Sequence, residues 1–424
     1  MKQVSQLVGF GYVDRFLKDE EIRTLLTAFF ERYPMSDKRV LFIIPDSTRT
    51  APVDRIFRVI QQLIGHQVSA LDYLVALGTH PLMSEEALNR LVGVSSEERR
   101  SAFQGINIWN HRWDQPETFV EVGKISATET EELSDGRLSV EVLIRVNRLL
   151  LDYDQLIVLG PVFPHEVAGF SGGSKYFFPG VSGPEVINFT HWLGALETSY
   201  ASIGVADTAV RRTIERAAAA IPVPKLALCL VTTHEGLAGI YAGEIQEAWR
   251  AAIELSKRHH IRYIAKPVQR VLSVLPEMYD DLWTGAKGMY KLEAVVADGG
   301  EIMIYAPHIS EVSYTHGAML DEIGYHVRDY FVKQWDQFKH YPWGVLAHST
   351  HVSGLGDYVD GQETRRIKVT LATGISQERC TRLNLGYCDP KTINPAEWAD
   401  RESEGVLLVP HAGEVLYRLR EGED

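Results

Sequence analysis

The chain has 424 residues, 45% of them hydrophobic and 23% charged, an ordinary globular balance that fits about two domains. A formal net charge of −13 with no basic tract argues against nucleic acid as a partner, because that binding rests on concentrated Lys and Arg. No apolar run approaches the ~20 residues of a membrane span, and the N-terminus lacks a signal-peptide pattern. Cys229, Cys380 and Cys388 are too scattered for a disulfide framework or a clustered zinc site, so a cytoplasmic protein is expected.

The first strong element is "RVLFIIPDSTRTAP", an apolar, β-branched run that ends in polar residues and Pro52: a buried strand and a loop. "APVDRIFRVIQQLIG" follows with apolar residues at helical spacing up to Gly65. "LDYLVALGTHP" predicts a second strand and loop, and "SEEALNRLVG" a helix capped by Ser84. "YDQLIVLGPVFPH" is a third such strand. This alternation implies an α/β domain with a largely parallel sheet, in which ligands sit beyond the carboxyl ends of the strands. "DSTR", "GTH" and "GPVFPH" all fall there.

The segment "PHEVAGFSGGSKYFFPGVSGPEVINFTHWLG", residues 164–194, crowds glycine, histidine, Lys175 and aromatics together and shows no long helix-forming run. "GFSGGSK" offers free backbone amides and a lysine, as a phosphate-binding loop does, yet it is neither a Walker A loop nor a dinucleotide G-x-G-x-x-G motif. A tight turn is the bland alternative. His80 and His165 each follow an inferred strand; His191 is a metal ligand or an aromatic-packed ring. Asp46 and Arg49 equally suit a helix cap and a surface ion pair.

Near residue 265 the pattern restarts with "AKP", a strand, a loop, a helix and another strand. Two α/β domains are therefore expected, 1–265 and 266–399, with 400–424 ("GVLLVPHAGEVLYRLR") a strand returning to the first, and the active site in the cleft between them.

"PDSTR", "LGTHPLMSEE", "PHEVAGFSGGSKYFFPG" and a histidine soon afterwards, in that order, resemble the lactate racemase family from about residue 40 to 195. That resemblance implies a nickel-pincer nucleotide (pyridinium-3,5-bisthiocarboxylic acid mononucleotide nickel) joined to Lys175, with His191 as the protein ligand to nickel. It implies His80 and His165 as paired acid–base groups, Arg49 on the substrate carboxylate, and Asp46, Thr48, Gly172 and Gly173 around the nucleotide. Cofactor-biosynthesis enzymes are implied as partners. A 2-hydroxy acid has a C2 hydrogen too weakly acidic for easy deprotonation; removal as hydride to the pyridinium and return to the other face inverts C2, while two histidines handle the hydroxyl proton.

One position departs from the family. Where a typical lactate racemase carries Gln three residues before a lysine, this chain reads "WTGAKGMYK", with Thr284 before Lys287. The shorter residue leaves room and favours a larger 2-hydroxy acid, such as a sugar acid, with Trp335 as a pocket wall or a core residue. Two other functions compete: a phosphate-binding metal-dependent hydrolase or lyase using His80, His165 and His191 as ligands, and a non-catalytic nickel- or nucleotide-binding member. The first is disfavoured because no carboxylate stands at i+3 or i+4 from these histidines. Retention of both His80 and His165 disfavours the second.

Overall fold

Arg39–Ile44 buries every residue after Arg39, as an apolar run must when both faces of a parallel sheet are covered. The computed structural model describes residues 7–420; the outer ends of the two terminal segments considered above, 1–6 and 421–424, lie outside the described residues. Among the described residues the chain divides into two units, one of 7–163, 170–187 and 211–259, the other of 164–169, 188–210 and 260–420. Neither unit is contiguous, because 164–169 and 188–210 group with the second.

The first unit is built on a seven-stranded sheet. Its order is Val8–Gly11, Gly236–Gly243, Lys225–Thr233, Gln155–Pro161, Arg39–Ile44, Ala70–Val75 and Ile108–Asn110. The five strands from Lys225–Thr233 to Ile108–Asn110 run parallel, and the other two join antiparallel. The three strands expected from sequence are central members. Helix Val53–Ile64 turns Val53, Ile56, Phe57, Ile60 and Ile64 inward on one stripe, and Phe57 meets Tyr73 at 5.0 Å between ring centroids. Burial of each such side chain contributes roughly 1.5–3 kcal/mol, so this stripe positions the helix. Its N-cap is Pro52, without a side-chain cap, which overturns the capping role considered for Asp46. Ser84 does cap helix Glu85–Leu91, accepting from the Ala87 amide.

The order of this sheet reverses at Arg39–Ile44. From there the chain adds strands on one side through Ile108–Asn110, then crosses to Gln155–Pro161 on the other. Loops leaving the carboxyl ends of these two neighbours diverge, which opens a crevice at that point. One loop carries Asp46 to Arg49, and the other leads into the glycine motif.

The second unit holds a five-stranded parallel sheet in the order Gly386–Tyr387, Lys368–Thr373, Val296–Ala306, Val268–Val274, Val406–Val409. Leu416–Leu419 pairs in parallel with Ile261–Ile264 in the same unit. Ile261–Ile264 falls inside the expected 1–265, so the last strand does pair within those bounds, while the apolar run 406–409 completes the second sheet's edge. The 164–194 segment differs from expectation. Pro184–Glu197 is a 14-residue helix. Proline is preorganised for a first helical position, and Gly194 permits close packing, since a Cβ there would stand 3.1 Å from Val167.

Candidate active site

At the crevice of the first unit, Asp46 is 6% exposed and receives three donors. Thr48 donates from its backbone N–H at 3.1 Å and from its hydroxyl at 2.6 Å, both to Oδ1, while His80 Nδ1 lies 2.6 Å from Oδ2. Burial alone would raise the Asp46 pKa. The facing His80 ring outweighs it together with Arg49 and the Thr48 hydroxyl, and the carboxyl is held well below the usual carboxylate range. With Nδ1 committed to Asp46, the neutral His80 ring carries its proton there and presents Nε2 as a lone pair. The His80 backbone is fixed too: its carbonyl accepts from Trp113 Nε1 at 2.7 Å. Arg49 is half-buried, 5.9 Å from the Phe163 ring centroid.

The glycine motif belongs to the same unit. Gly172 has φ +78° and a Cβ there would stand 2.5 Å from the Val162 side chain; Gly173 has φ +57° and faces Trp249 at 3.2 Å. Both positions therefore require glycine. The loop is held from behind. Buried Arg211 donates to the carbonyls of Phe170 and Gly172 and lies 4.1 Å from the Trp249 ring centroid. Trp249 Nε1 donates to the Ser171 carbonyl at 2.8 Å, and the Ser174 hydroxyl donates to Glu215 at 2.6 Å. Half-buried Lys175 stands in the short 3-10 turn Gly173–Tyr176. Tyr176 occupies the space left by Gly160 and feels both Arg49 and Asp46, which ties the two loops together; burial pushes its phenol up.

The second unit contains His165 and His191. His165 is 7% exposed, and its Nδ1 accepts from the Val167 amide at 3.1 Å, so the neutral ring has its proton on Nε2. The Glu166 carboxylate stands 3.3 Å from the same Nδ1, placed to accept from it when the ring is charged. His191 is half-buried on helix Pro184–Glu197. Its neighbour Trp192 stacks on Trp335 at 5.1 Å and 15°, and Trp335 meets Trp343 at 5.5 Å. Trp335 is half-buried, outside the core.

Thr284 follows the strand Val268–Val274, in helix Leu282–Gly285. It is buried, and its hydroxyl donates to Asp281 Oδ1 at 2.8 Å. Buried Lys287 donates to the Thr284 carbonyl at 3.2 Å and lies 4.6 Å from the Tyr279 ring centroid. Sequence reasoning missed the neighbours of this corner. His348 stacks on Trp283 at 4.0 Å and 24°, and His351 lies three residues on in helix Trp343–Ser353. Burial, with His351, His316, His191 and Lys287, holds the His348 pKa well below its ordinary value; burial takes His351 down to about 4. Two buried histidines at helical spacing in "VLAHSTHVS" were the available signal. Arg211 and Tyr176 had none.

Among the described residues no three or more His, Cys, Asp or Glu side chains are arranged to hold a metal ion. Also among them, no helix is long and apolar enough to cross a membrane.

Residues 23–204 match the family described as the lactate racemase N-terminal domain. The lactate racemase of Thermoanaerobacterium thermosaccharolyticum is 27% identical over 167 residues, an alignment spanning 38% of this chain and only 39% of that relative. A crystal structure of a Thermotoga maritima protein superposes with a TM-score of 0.87 at 33% identity, covering 95% of this chain and 99% of that one. The lactate racemase apoprotein from T. thermosaccharolyticum superposes with a TM-score of 0.69 over 98% of this chain and 100% of its own, and at 18% identity that likeness shows the shared α/β fold. Residues 23–204 thus carry a lactate racemase N-terminal domain, the curated relative supports that family over the same region, and the whole chain shares the fold of the lactate racemase apoprotein.

Proposed function

We propose that this chain is an isomerase that inverts C2 of a 2-hydroxy acid larger than lactate, such as a sugar acid, with a nickel-pincer nucleotide as cofactor. One observation carries it: each candidate acid–base histidine has its own carboxylate at Nδ1, Asp46 for His80 and Glu166 for His165. A racemase needs one group to accept the hydroxyl proton and another to deliver it. Asp46 fixes the proton of neutral His80 on Nδ1 and leaves Nε2 to accept from the substrate, while His165 presents Nε2–H as the donor and Glu166 stabilises its charged form.

The remaining roles follow from chemistry. Arg49 supplies a planar, permanently charged fork for the substrate carboxylate. The residues also fit the cofactor. Gly172 and Gly173 hold left-handed φ values and leave no room for a Cβ against Val162 and Trp249, so this loop keeps the bare backbone that a phosphate-binding turn needs, with Asp46 and Thr48 in the same unit. Lys175 ends that loop as the attachment point, and His191 supplies one imidazole to the metal, whose other donors come with the nucleotide. When bound, the cofactor supplies a hydride acceptor for C2. Lys287, Thr284 and Trp335 form the substrate wall, and a cytoplasmic site of action with cofactor-making enzymes as partners belongs to the same proposal.

The test is co-production with the cofactor-making enzymes, then intact mass, nickel content and a screen of 2-hydroxy acids labelled with deuterium at C2. An adduct on Lys175, about one nickel and scrambled C2 configuration are expected. An unmodified chain that inverts no hydroxy acid would overturn the proposal.

A further inference from the structure

Helix Trp343–Ser353 buries Ser349, Thr350 and Ser353 along with two histidines, an unusual polar load for a covered helix. Gly344, His348 and His351 are spaced i, i+4, i+7 and share one face. That face is turned toward helix Pro184–Glu197: the Gly344 N–H donates to Asn188 Oδ1 at 3.2 Å, and a Cβ on Gly344 would stand 4.0 Å from His191. His348 keeps its ring flat on Trp283 and its Nε2 3.3 Å from the Tyr325 hydroxyl. His351 is 4% exposed, and among the described residues its Nε2 finds no hydrogen-bond partner. A buried nitrogen left so is costly unless a ligand or water completes it.

We propose that His348 and His351 form a hydroxyl-recognising subsite beside His191, selecting a polyhydroxylated 2-hydroxy acid over short or dicarboxylic ones. The proposal rests on the C2-inverting function above. An uncharged imidazole offers one donor and one acceptor, which matches a hydroxyl group. A second carboxylate would need a cation, and the cation of this corner, Lys287, is already engaged with the Thr284 carbonyl and the Tyr279 ring.

The experiment compares lactate, a five- or six-carbon aldonate and a hydroxy-diacid on the cofactor-loaded full chain, in wild type, His348→Phe, His348→Gln and His351→Leu. Phe retains a ring to stack on Trp283 and removes the hydrogen bonds; Gln retains a donor and an acceptor. Wild type should prefer the aldonate. His348→Phe and His351→Leu should each lower its kcat/KM roughly 10–100-fold, mostly through KM, with lactate within about threefold and His348→Gln partly restored. Equal losses on lactate and aldonate, a preference for the diacid, or a Gln variant as poor as Phe would each overturn the subsite while leaving C2 inversion standing. Saturation-transfer NMR of the aldonate on the chain without cofactor gives a readout independent of turnover. Contacts at C3 and beyond, lost in His348→Phe, support the subsite even if no acid is inverted; no such contacts in wild type overturn it. Thermal melts check each variant, and if His351→Leu fails to fold, His348→Phe decides between the two outcomes.

Discussion

Replacing Asp46 with Asn retains the size of the side chain and an oxygen for the Thr48 donors, but removes the charge that faces His80 Nδ1 at 2.6 Å. A hydrogen bond to a charged group contributes about 1.5–3 kcal/mol, and breaking a buried pair outright costs about 3–5 kcal/mol. Because Asn keeps the two Thr48 bonds, the lower range, about 1.5–3 kcal/mol, is expected at neutral pH from urea unfolding. The sign with pH follows from the depressed carboxyl of Asp46. A carboxyl with a lowered folded pKa stabilises the fold above its unfolded value, near 3.9, and that contribution is lost as pH falls through the folded value. The gap between wild type and variant should therefore persist across neutral pH and close only below about pH 4. Activity should fall further than stability. Without the carboxylate the proton of neutral His80 is no longer fixed on Nδ1, and loss of an oriented base is worth roughly 10²–10⁴-fold. Nitrogen-15 NMR of the imidazole reads the tautomer directly. A variant within about 0.5 kcal/mol of wild type, with Nδ1 still protonated and turnover within threefold, would refute the orienting role.

Other substitutions probe separate parts of the fold and site. Gly172→Ala places a Cβ 2.5 Å from Val162 at φ +78°; about 1–2 kcal/mol of backbone strain plus the clash should lower the melting temperature and abolish the Lys175 adduct seen by intact mass. His111 is buried and desolvation takes its pKa to about 4, so the unfolded chain binds the proton first. Stability should drop by roughly 3 kcal/mol as pH falls from 6.5 to 4, and urea midpoints of His111→Gln should show a flatter profile. Thr284→Gln forfeits the bond to Asp281 and fills space; a relative gain for lactate over longer acids of about 1–3 kcal/mol in kcat/KM is expected, and equal effects on both would remove Thr284 from the substrate wall.

Much of the first unit was legible because its central strands are apolar runs that stop abruptly at polar loops. Arg39–Ile44, Ala70–Val75 and Gln155–Pro161 each bury five or more consecutive residues, and such runs have few other places to go. Ser84 was readable because a cap is a local bond, three residues long. Asp46 was not legible as a partner of His80, for the opposite reason. Its partner His80 is 34 residues away, and only the pairing of two strands brings them together. Helix Pro184–Glu197 was hidden by glycines that serve packing: Gly194 lowers helix propensity locally, and its contact with Val167 decides the outcome. The division of the last stretch between Val406–Val409 in the second sheet and Leu416–Leu419 beside Ile261–Ile264 was not legible, since an apolar run specifies burial and leaves its neighbour open.

Residues 164–194 divide between the two units, and the proposed site residues divide with them. Gly172, Gly173 and Lys175 lie in the first unit, while His165 and His191 flank them in sequence and group with the second. A backbone cradle must be made of consecutive residues, and its left-handed φ values restrict them to glycine, so "GFSGGSK" is written contiguously. Histidines fixed by the same excursion of the chain follow at short spacing and join the pattern. The proposed substrate wall has no such constraint. Thr284, Trp335 and His348 stand on three separate helices, and any one can change without disturbing the others' backbone. On the proposed function, the contiguous motif bears on the cofactor and the acid–base pair, and the substrate is set elsewhere. The residues to compare among chains that share the motif are then Trp283, Thr284, His348 and His351.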